Sequence, residues 1–143
     1  MINPSFIPGA GASRPRVLLA DDHQGMLTLT ADALADEYLV VGSVGDGREL
    51  LAEAERLHPD VIILDITMPR LDGIEAARQL MRAPRPVRLV FLTVHEDADY
   101  ARAVLDAGGL GYVVKTRLAS DLLPAIRAAL ADANLSLTRR APR

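Results

Sequence analysis

From Arg16 onward, the chain alternates short apolar runs with stretches in which apolar residues recur every three or four positions. Runs of strand length lie at Val17–Ala20, Leu39–Ser43, Val61–Leu64, Val87–Thr93 and Gly111–Val114. Several are apolar almost throughout rather than alternating, the pattern of strands covered on both faces of a parallel sheet. Helical spacing appears between them. Leu27, Ala31, Leu34 and Tyr38 share one stripe, Leu50, Ala54 and Leu57 a second, and Ile74, Ala77 and Met81 a third. Ala98, Ala101 and Leu105 form a weaker stripe, and Leu122, Ile126 and Ala129 the last. Pro124 is expected in the first turn of that last helix, where a missing N–H is tolerated. Gly108 and Gly109 are expected to stop the fourth helix, and Asp46-Gly47 to form a turn before the second. Strand–helix units in series predict an α/β fold, an open five-stranded parallel sheet with right-handed crossovers and helices on both faces.

Residues 1–15 contain three prolines and two glycines and lack apolar periodicity. They are expected to be a disordered N-terminal arm. One domain is expected over residues 16–131, followed at 132–143 by a C-terminal linker or stub carrying Arg139, Arg140 and Arg143. Half the residues are hydrophobic but only 3% are aromatic, so the core must come from Ala, Val, Leu and Ile. The absence of cysteine excludes disulfides, thiolate metal sites and thiol nucleophiles. A net charge of -3 argues against binding nucleic acid through a broad basic field. No apolar run approaches the roughly 18 residues needed to span a bilayer. The N-terminus has no charged segment leading into an apolar one, so a cytoplasmic location is expected.

The ends of the expected strands change the picture most, because open parallel sheets bind ligands beyond the carboxyl ends of their strands. The first run leads into Asp21-Asp22, the third ends on Asp65, the fourth on Thr93, and the fifth on Lys115. Three carboxylates, a hydroxyl and an ammonium are thereby expected on one rim. Clustered carboxylates repel one another and resist ionisation. A hard divalent cation relieves that repulsion, and Mg²⁺ suits a small oxygen site that keeps several waters. Asp65 could then act as a nucleophile toward phosphorus, since carboxylates form acyl phosphates. Lys115 and the metal would neutralise the oxygens of the transferring group, and Thr93 could donate to one of them.

Each residue alone also has an ordinary structural reading. An Asp after a strand is often the N-cap of the next helix. Thr93 could be a turn hydroxyl, Lys115 a solvated charge, and Tyr112 a strand aromatic that partly fills the core. Pro69 and Gly73 are read as shaping the loop after Asp65 and starting the next helix. His23 and His95 are expected at the rim of the site, and His58, before Pro59, in a turn; the three are not read as a metal set. The joint placement of the acids, hydroxyl and lysine carries the functional reading.

At this level the residues resemble the response regulator receiver domains of bacterial two-component systems. The resemblance rests on Leu19-Ala20-Asp21-Asp22-His23, on Val61 through Gly73 with Asp65 at its centre, on Leu92-Thr93-Val94-His95, and on Gly111-Tyr112-Val113-Val114-Lys115. It covers about residues 16 to 131. It implies a flavodoxin-like fold with strand order 2-1-3-4-5. It also implies that Asp65 is phosphorylated by a sensor histidine kinase, and that the domain catalyses only its own phosphoryl transfer and dephosphorylation. Asp22, Asp65 and the backbone carbonyl of Thr67 would bind Mg²⁺ directly, with Asp21 acting through water. Lys115 would pair with Asp65 or its phosphoryl group. Thr93 would swing toward that group with Tyr112 following, biasing a surface formed by the fourth helix, fifth strand and fifth helix.

Two positions depart from the common pattern. Many receivers carry Ala or Gly after the conserved hydroxyl, where this chain has the bulkier Val94, which could narrow access to Asp65. Many carry Pro after the conserved lysine, where this chain has Thr116. With Asp21-Asp22-His23 and Leu92-Thr93-Val94-His95, Thr116 is similar to the NarL/LuxR-type subfamily, whose receivers precede a helix-turn-helix domain. No such unit is visible in the 143 residues. DNA contact is therefore expected only through a domain outside this chain, and a homodimer is expected on phosphorylation. The alternative is a stand-alone receiver acting by partner binding or phosphorelay. An α/β phosphatase is disfavoured because Asp65-Ile66-Thr67 lacks a second acid two residues on. A nucleotide-binding fold is disfavoured because no Gly-rich loop follows the first strand.

Overall fold

A computed structural model describes residues 14–68, 70–84, 87–94, 96 and 98–132. The expectations for residues 1–13 and 133–143, and for Pro69 and His95, lie outside the described residues. The element order is β1 (Arg16–Ala20), α1 (Gln24–Leu34), β2 (Leu39–Val44), α2 (Gly47–Leu57), β3 (Val61–Asp65), α3 (Gly73–Met81), β4 (Arg88–Thr93), α4 (Ala98–Asp106), β5 (Gly111–Val114), a 3₁₀ turn (Lys115–Arg117) and α5 (Leu118–Ala131). The sheet is five-stranded, in the order β2-β1-β3-β4-β5, and its pairings are parallel. This is the expected α/β architecture.

The unbroken apolar texture of the strands has a simple cause. Successive side chains of a strand point to opposite faces, and both faces are covered. Leu18, Ile62, Leu64, Leu89 and Phe91 pack with Leu50 of α2, Ala76, Ala77 and Leu80 of α3, and Val104 of α4. Val17, Leu19, Ile63, Val90 and Leu92 pack on the other face with Leu27 and Leu34 of α1 and Leu122, Ile126 and Ala129 of α5. β2, at the sheet edge, is more exposed, with Leu39 42% exposed.

Helix starts follow local chemistry. Asp46 caps α2 by accepting from the Glu49 N–H at 2.8 Å, and Asp72 caps α3 by accepting from Glu75 at 2.8 Å. His58 closes α2 in a left-handed conformation, with its N–H bonded to the Ala54 carbonyl.

Two expectations are corrected. Pro124 lies inside α5, well beyond its first turn. The helix begins earlier because Leu118 is buried. Pro124 and Ser120, whose carbonyl loses its partner there, both face solvent, where water can satisfy the orphaned oxygen. In α4 the buried face is marked by Val104, whereas Leu105 is 66% exposed. The apolar stripe read through Leu105 was therefore one position out of phase.

Candidate functional site

The carboxyl ends of the strands carry the chemistry. Asp65 is the last residue of β3, Thr93 the last of β4, and Lys115 follows β5 directly. Asp21 and Asp22 occupy the step between β1 and α1, and the Asp21 N–H still pairs with the Val44 carbonyl at 3.0 Å. Register brings these ends level: Asp65 pairs with Leu92, one step before Thr93, and Thr93 pairs with Val114, one step before Lys115. Asp21, Asp65 and Thr93 are 3%, 5% and 1% exposed, polar groups buried at the margin of an apolar sheet.

Lys115 bridges the acids. Its Nζ lies 2.8 Å from Asp21 Oδ2 and 3.5 Å from Asp65 Oδ1. Asp21 Oδ1 accepts from the His23 backbone N–H at 2.9 Å. His23 Nδ1 stands 3.3 Å from Asp21 Oδ1 and 3.1 Å from Asp22 Oδ1. His23 thus sits at the rim as expected, but its imidazole also joins the acidic cluster, which the sequence did not indicate.

Burial pushes the Asp65 carboxyl above its ordinary range, and the charge of Asp21 adds to this. The Lys115 ammonium and a hydrogen bond from the Thr67 amide oppose the rise without cancelling it. Two buried acids therefore share one ammonium, and the cluster retains uncompensated negative charge.

Donor atoms of Asp21, Asp22, His23 and Asp65 all lie within 4.8 Å of one another. A mainly carboxylate set with an uncompensated buried member suits a divalent cation. Asp22 is exposed, so a cation there would face water on one side.

The loop after β3 is tightly constrained. The Gly73 N–H donates to the Ile66 carbonyl at 2.7 Å, and a Cβ added at Gly73 would lie 2.2 Å from the Asp65 carbonyl oxygen. Gly73 therefore starts α3 as expected, and the reason is lack of room behind Asp65.

Tyr112 is half-buried and packs against the core cluster on the α2–α3–α4 side. It pairs with Phe91, two residues before Thr93, so strand alternation puts Thr93 and Tyr112 on the same face. Val94 is 67% exposed beside the buried Thr93. A separate groove of about 780 Å³, lined by Leu51, Ala54, His58, Leu80 and Val87 among others, lies at the opposite ends of β3 and β4 and holds none of the site acids.

Residues 17–127 match the model of the response regulator receiver domain, and the chain belongs to that family. It is 39% identical over 131 residues to the transcriptional regulatory protein PdtaR of Mycobacterium tuberculosis strain H37Rv, covering 91% of this chain and 63% of the relative. The chain thus spans less than two thirds of that protein. Among solved structures, the signal receiver domain of the putative response regulator NarL from Mycobacterium tuberculosis superposes with a TM-score of 0.79 at 26% identity, covering 83% of this chain and 98% of the other. A two-component response regulator of the LuxR family from Aurantimonas sp. SI85-9A1 gives 0.79 at 28% identity, covering 87% and 94%. The fold and the NarL/LuxR-type likeness read from the sequence are those of these relatives. Among the described residues no helix is long and apolar enough to cross a membrane.

Proposed function

We propose that this chain is a phosphorylation-dependent switch in which Asp65 accepts a phosphoryl group from the phosphohistidine of a sensor histidine kinase. A carboxylate oxygen of Asp65 attacks phosphorus, the P–N bond breaks, and the departing imidazole takes up a proton. The product is an acyl phosphate on Asp65, which water later hydrolyses. The observation that carries this reading is the placement of Lys115 between the buried Asp21 and Asp65, at 2.8 and 3.5 Å.

Asp22, Asp65 and the Thr67 carbonyl are the proposed direct ligands of Mg²⁺, with Asp21 acting through water. The ion would supply neutralising charge for the carboxylates and the phosphoryl oxygens. Lys115 holds a phosphoryl oxygen and lowers the charge that builds at the acceptor. Thr93 donates its hydroxyl to another, and Tyr112, on the same face, follows it inward. A new hydrogen bond that one conformation makes and the other lacks is enough to shift a two-state equilibrium. The shifted surface is that of α4, β5 and α5.

The chain acts on no substrate beyond its own phosphoryl group, and its home is the cytoplasm, where kinase and target meet. The receiver unit is residues 16–131. PdtaR is a transcriptional regulatory protein and the Aurantimonas relative belongs to the LuxR family; both favour transcription control through a further domain, with dimerisation on phosphorylation. A stand-alone receiver acting by partner binding or phosphorelay is the alternative.

Intact-protein mass after incubation with acetyl phosphate and Mg²⁺ tests the acceptor. One phosphoryl adduct is expected on the wild type, lost with EDTA and absent from Asp65→Asn. An adduct that persists in Asp65→Asn would overturn the assignment.

A further inference from the structure

The loop after Asp65 is held from two sides. Gly73 closes it against the Asp65 backbone, as described above. Opposite, it meets the first turn of α2, where a Cβ added at Gly47 would stand 2.0 Å from the Leu71 carbonyl oxygen. The backbones of the two elements therefore touch. At the same junction Arg70 Nη1 donates to Asp46 Oδ2 at 2.8 Å, joining residues 24 positions apart. The Asp46 side chain is 8% exposed and that of Arg70 is 65% exposed. Asp46 uses its other oxygen to cap α2, so one carboxylate serves both the helix and the loop.

Arg70 has φ 69°, in the left-handed region. A residue with a Cβ adopts that conformation only at a cost, which glycine avoids. An arginine at this position gives up backbone ease, and what it supplies in return is the guanidinium that reaches Asp46.

We propose that Asp46 and Arg70 are positioning residues for the acidic site. Their ion pair clamps the β3–α3 loop to the start of α2 and so holds the Thr67 backbone in place beside Asp65. The Thr67 N–H favours the charged Asp65 carboxylate, and the Thr67 carbonyl is the proposed backbone ligand. Thr67 lies between Ile66, whose carbonyl accepts from the Gly73 N–H at 2.7 Å, and Arg70, which is held by Asp46, so tying both neighbours leaves Thr67 little freedom. This inference rests on the reading of Asp65 as a Mg²⁺-binding phosphoacceptor.

The test is isothermal titration of the 143-residue chain with Mg²⁺, paired with thermal unfolding in EDTA. The proteins compared are wild type, Asp46→Ser, Arg70→Gly, Arg70→Lys and the Asp46→Ser/Arg70→Gly double variant. Serine caps a helix about as well as aspartate but cannot reach Arg70. Glycine accepts the positive φ without strain, so Arg70→Gly keeps or raises the unfolding temperature. Mg²⁺ affinity is expected to fall about threefold to tenfold in each single variant, below the roughly ten- to hundredfold typical of a group that holds a metal ligand directly. The double variant falls no further than either single one, because both remove the same contact. Arg70→Lys, which keeps the charge, regains part of the loss.

Wild-type Mg²⁺ affinity in Arg70→Gly, or losses that add in the double variant, overturns the clamp while leaving the phosphoacceptor reading intact. A wild-type chain that binds no Mg²⁺ removes that reading, and the clamp with it.

Discussion

Lys115 lies closer to Asp21 than to Asp65: its Nζ is 2.8 Å from Asp21 Oδ2 and 3.5 Å from Asp65 Oδ1. Asp21 Oδ2 accepts no aligned hydrogen bond, so the 2.8 Å contact is an ion pair by distance, and distance is what governs charge compensation. With the Lys115 side chain 9% exposed and those of Asp21 and Asp65 4% and 7%, one ammonium offsets two buried carboxylates. It ties the rim ends of β1, β3 and β5 together.

Removing that ammonium leaves two acids buried without a counter-charge. Lys115→Met is expected to lose about 3–5 kcal/mol at neutral pH without Mg²⁺, the cost of breaking a buried pair. Part of the loss should return in acid, where the Asp65 carboxyl protonates, and part with Mg²⁺. Urea unfolding of the two proteins with and without Mg²⁺ measures this, and equal midpoints without Mg²⁺ would refute the counter-charge role.

The raised carboxyl of Asp65 predicts a pH dependence of definite sign. Burial, aided by the charge of Asp21, makes the folded chain hold this proton more tightly than the unfolded chain does. Stability from this group is therefore complete in acid, below the ordinary carboxylate range, and is lost as pH rises through the higher folded value. In EDTA at pH 7, Asp65→Asn should melt above wild type by about 3–6 °C, roughly 1 kcal/mol for a domain of this size. The gap should close as the pH falls. Mg²⁺ at about one hundred times its Kd should add about 2.7 kcal/mol to wild type and less to the variant. Calorimetric melts across pH check both signs.

Gly73 has no room for a side chain, since a Cβ there would lie 2.2 Å from the Asp65 carbonyl oxygen. Gly73→Ala must push the end of β3 or the start of α3. It is expected to cost about 1–3 kcal/mol, as overpacking does, and to slow phosphorylation more than the stability loss accounts for. Acetyl phosphate labelling at a temperature where the variant is fully folded separates the two effects.

Val94 is 67% exposed beside a hydroxyl that is 1% exposed, and its bulk could narrow the approach to Asp65. Val94→Ala removes little packing, so stability should stay within about 0.5 kcal/mol. Labelling by acetyl phosphate should rise severalfold while transfer from a kinase changes less. An unchanged acetyl phosphate rate would remove Val94 from the account.

Much of this protein was legible in its sequence because the informative features are local. Asp65, Thr93 and Lys115 each end or follow an apolar run, and a strand must carry such a residue to the rim of the sheet. Asp46-Gly47 marks the turn before α2, and Gly73 the start of α3. Other features left no local trace. Arg70 shows nothing in the sequence of its partner 24 positions earlier. Val104 and Leu105 are neighbours in α4, and only packing decides that Val104 is buried while Leu105 is exposed. Pro124 sits mid-helix because the burial of Leu118 outweighs the lost hydrogen bond.

The sequence by itself determined the number and order of the strand–helix units, the parallel sheet and the acids, hydroxyl and lysine at its rim, because burial on both faces dictates apolar strands and polar strand ends. Only the tertiary structure decided how Lys115 divides itself between Asp21 and Asp65, why Gly73 must lack a side chain, and that Asp46 holds the loop of Arg70. Those are contacts between distant segments, set by packing distances of a few ångströms that local composition does not encode.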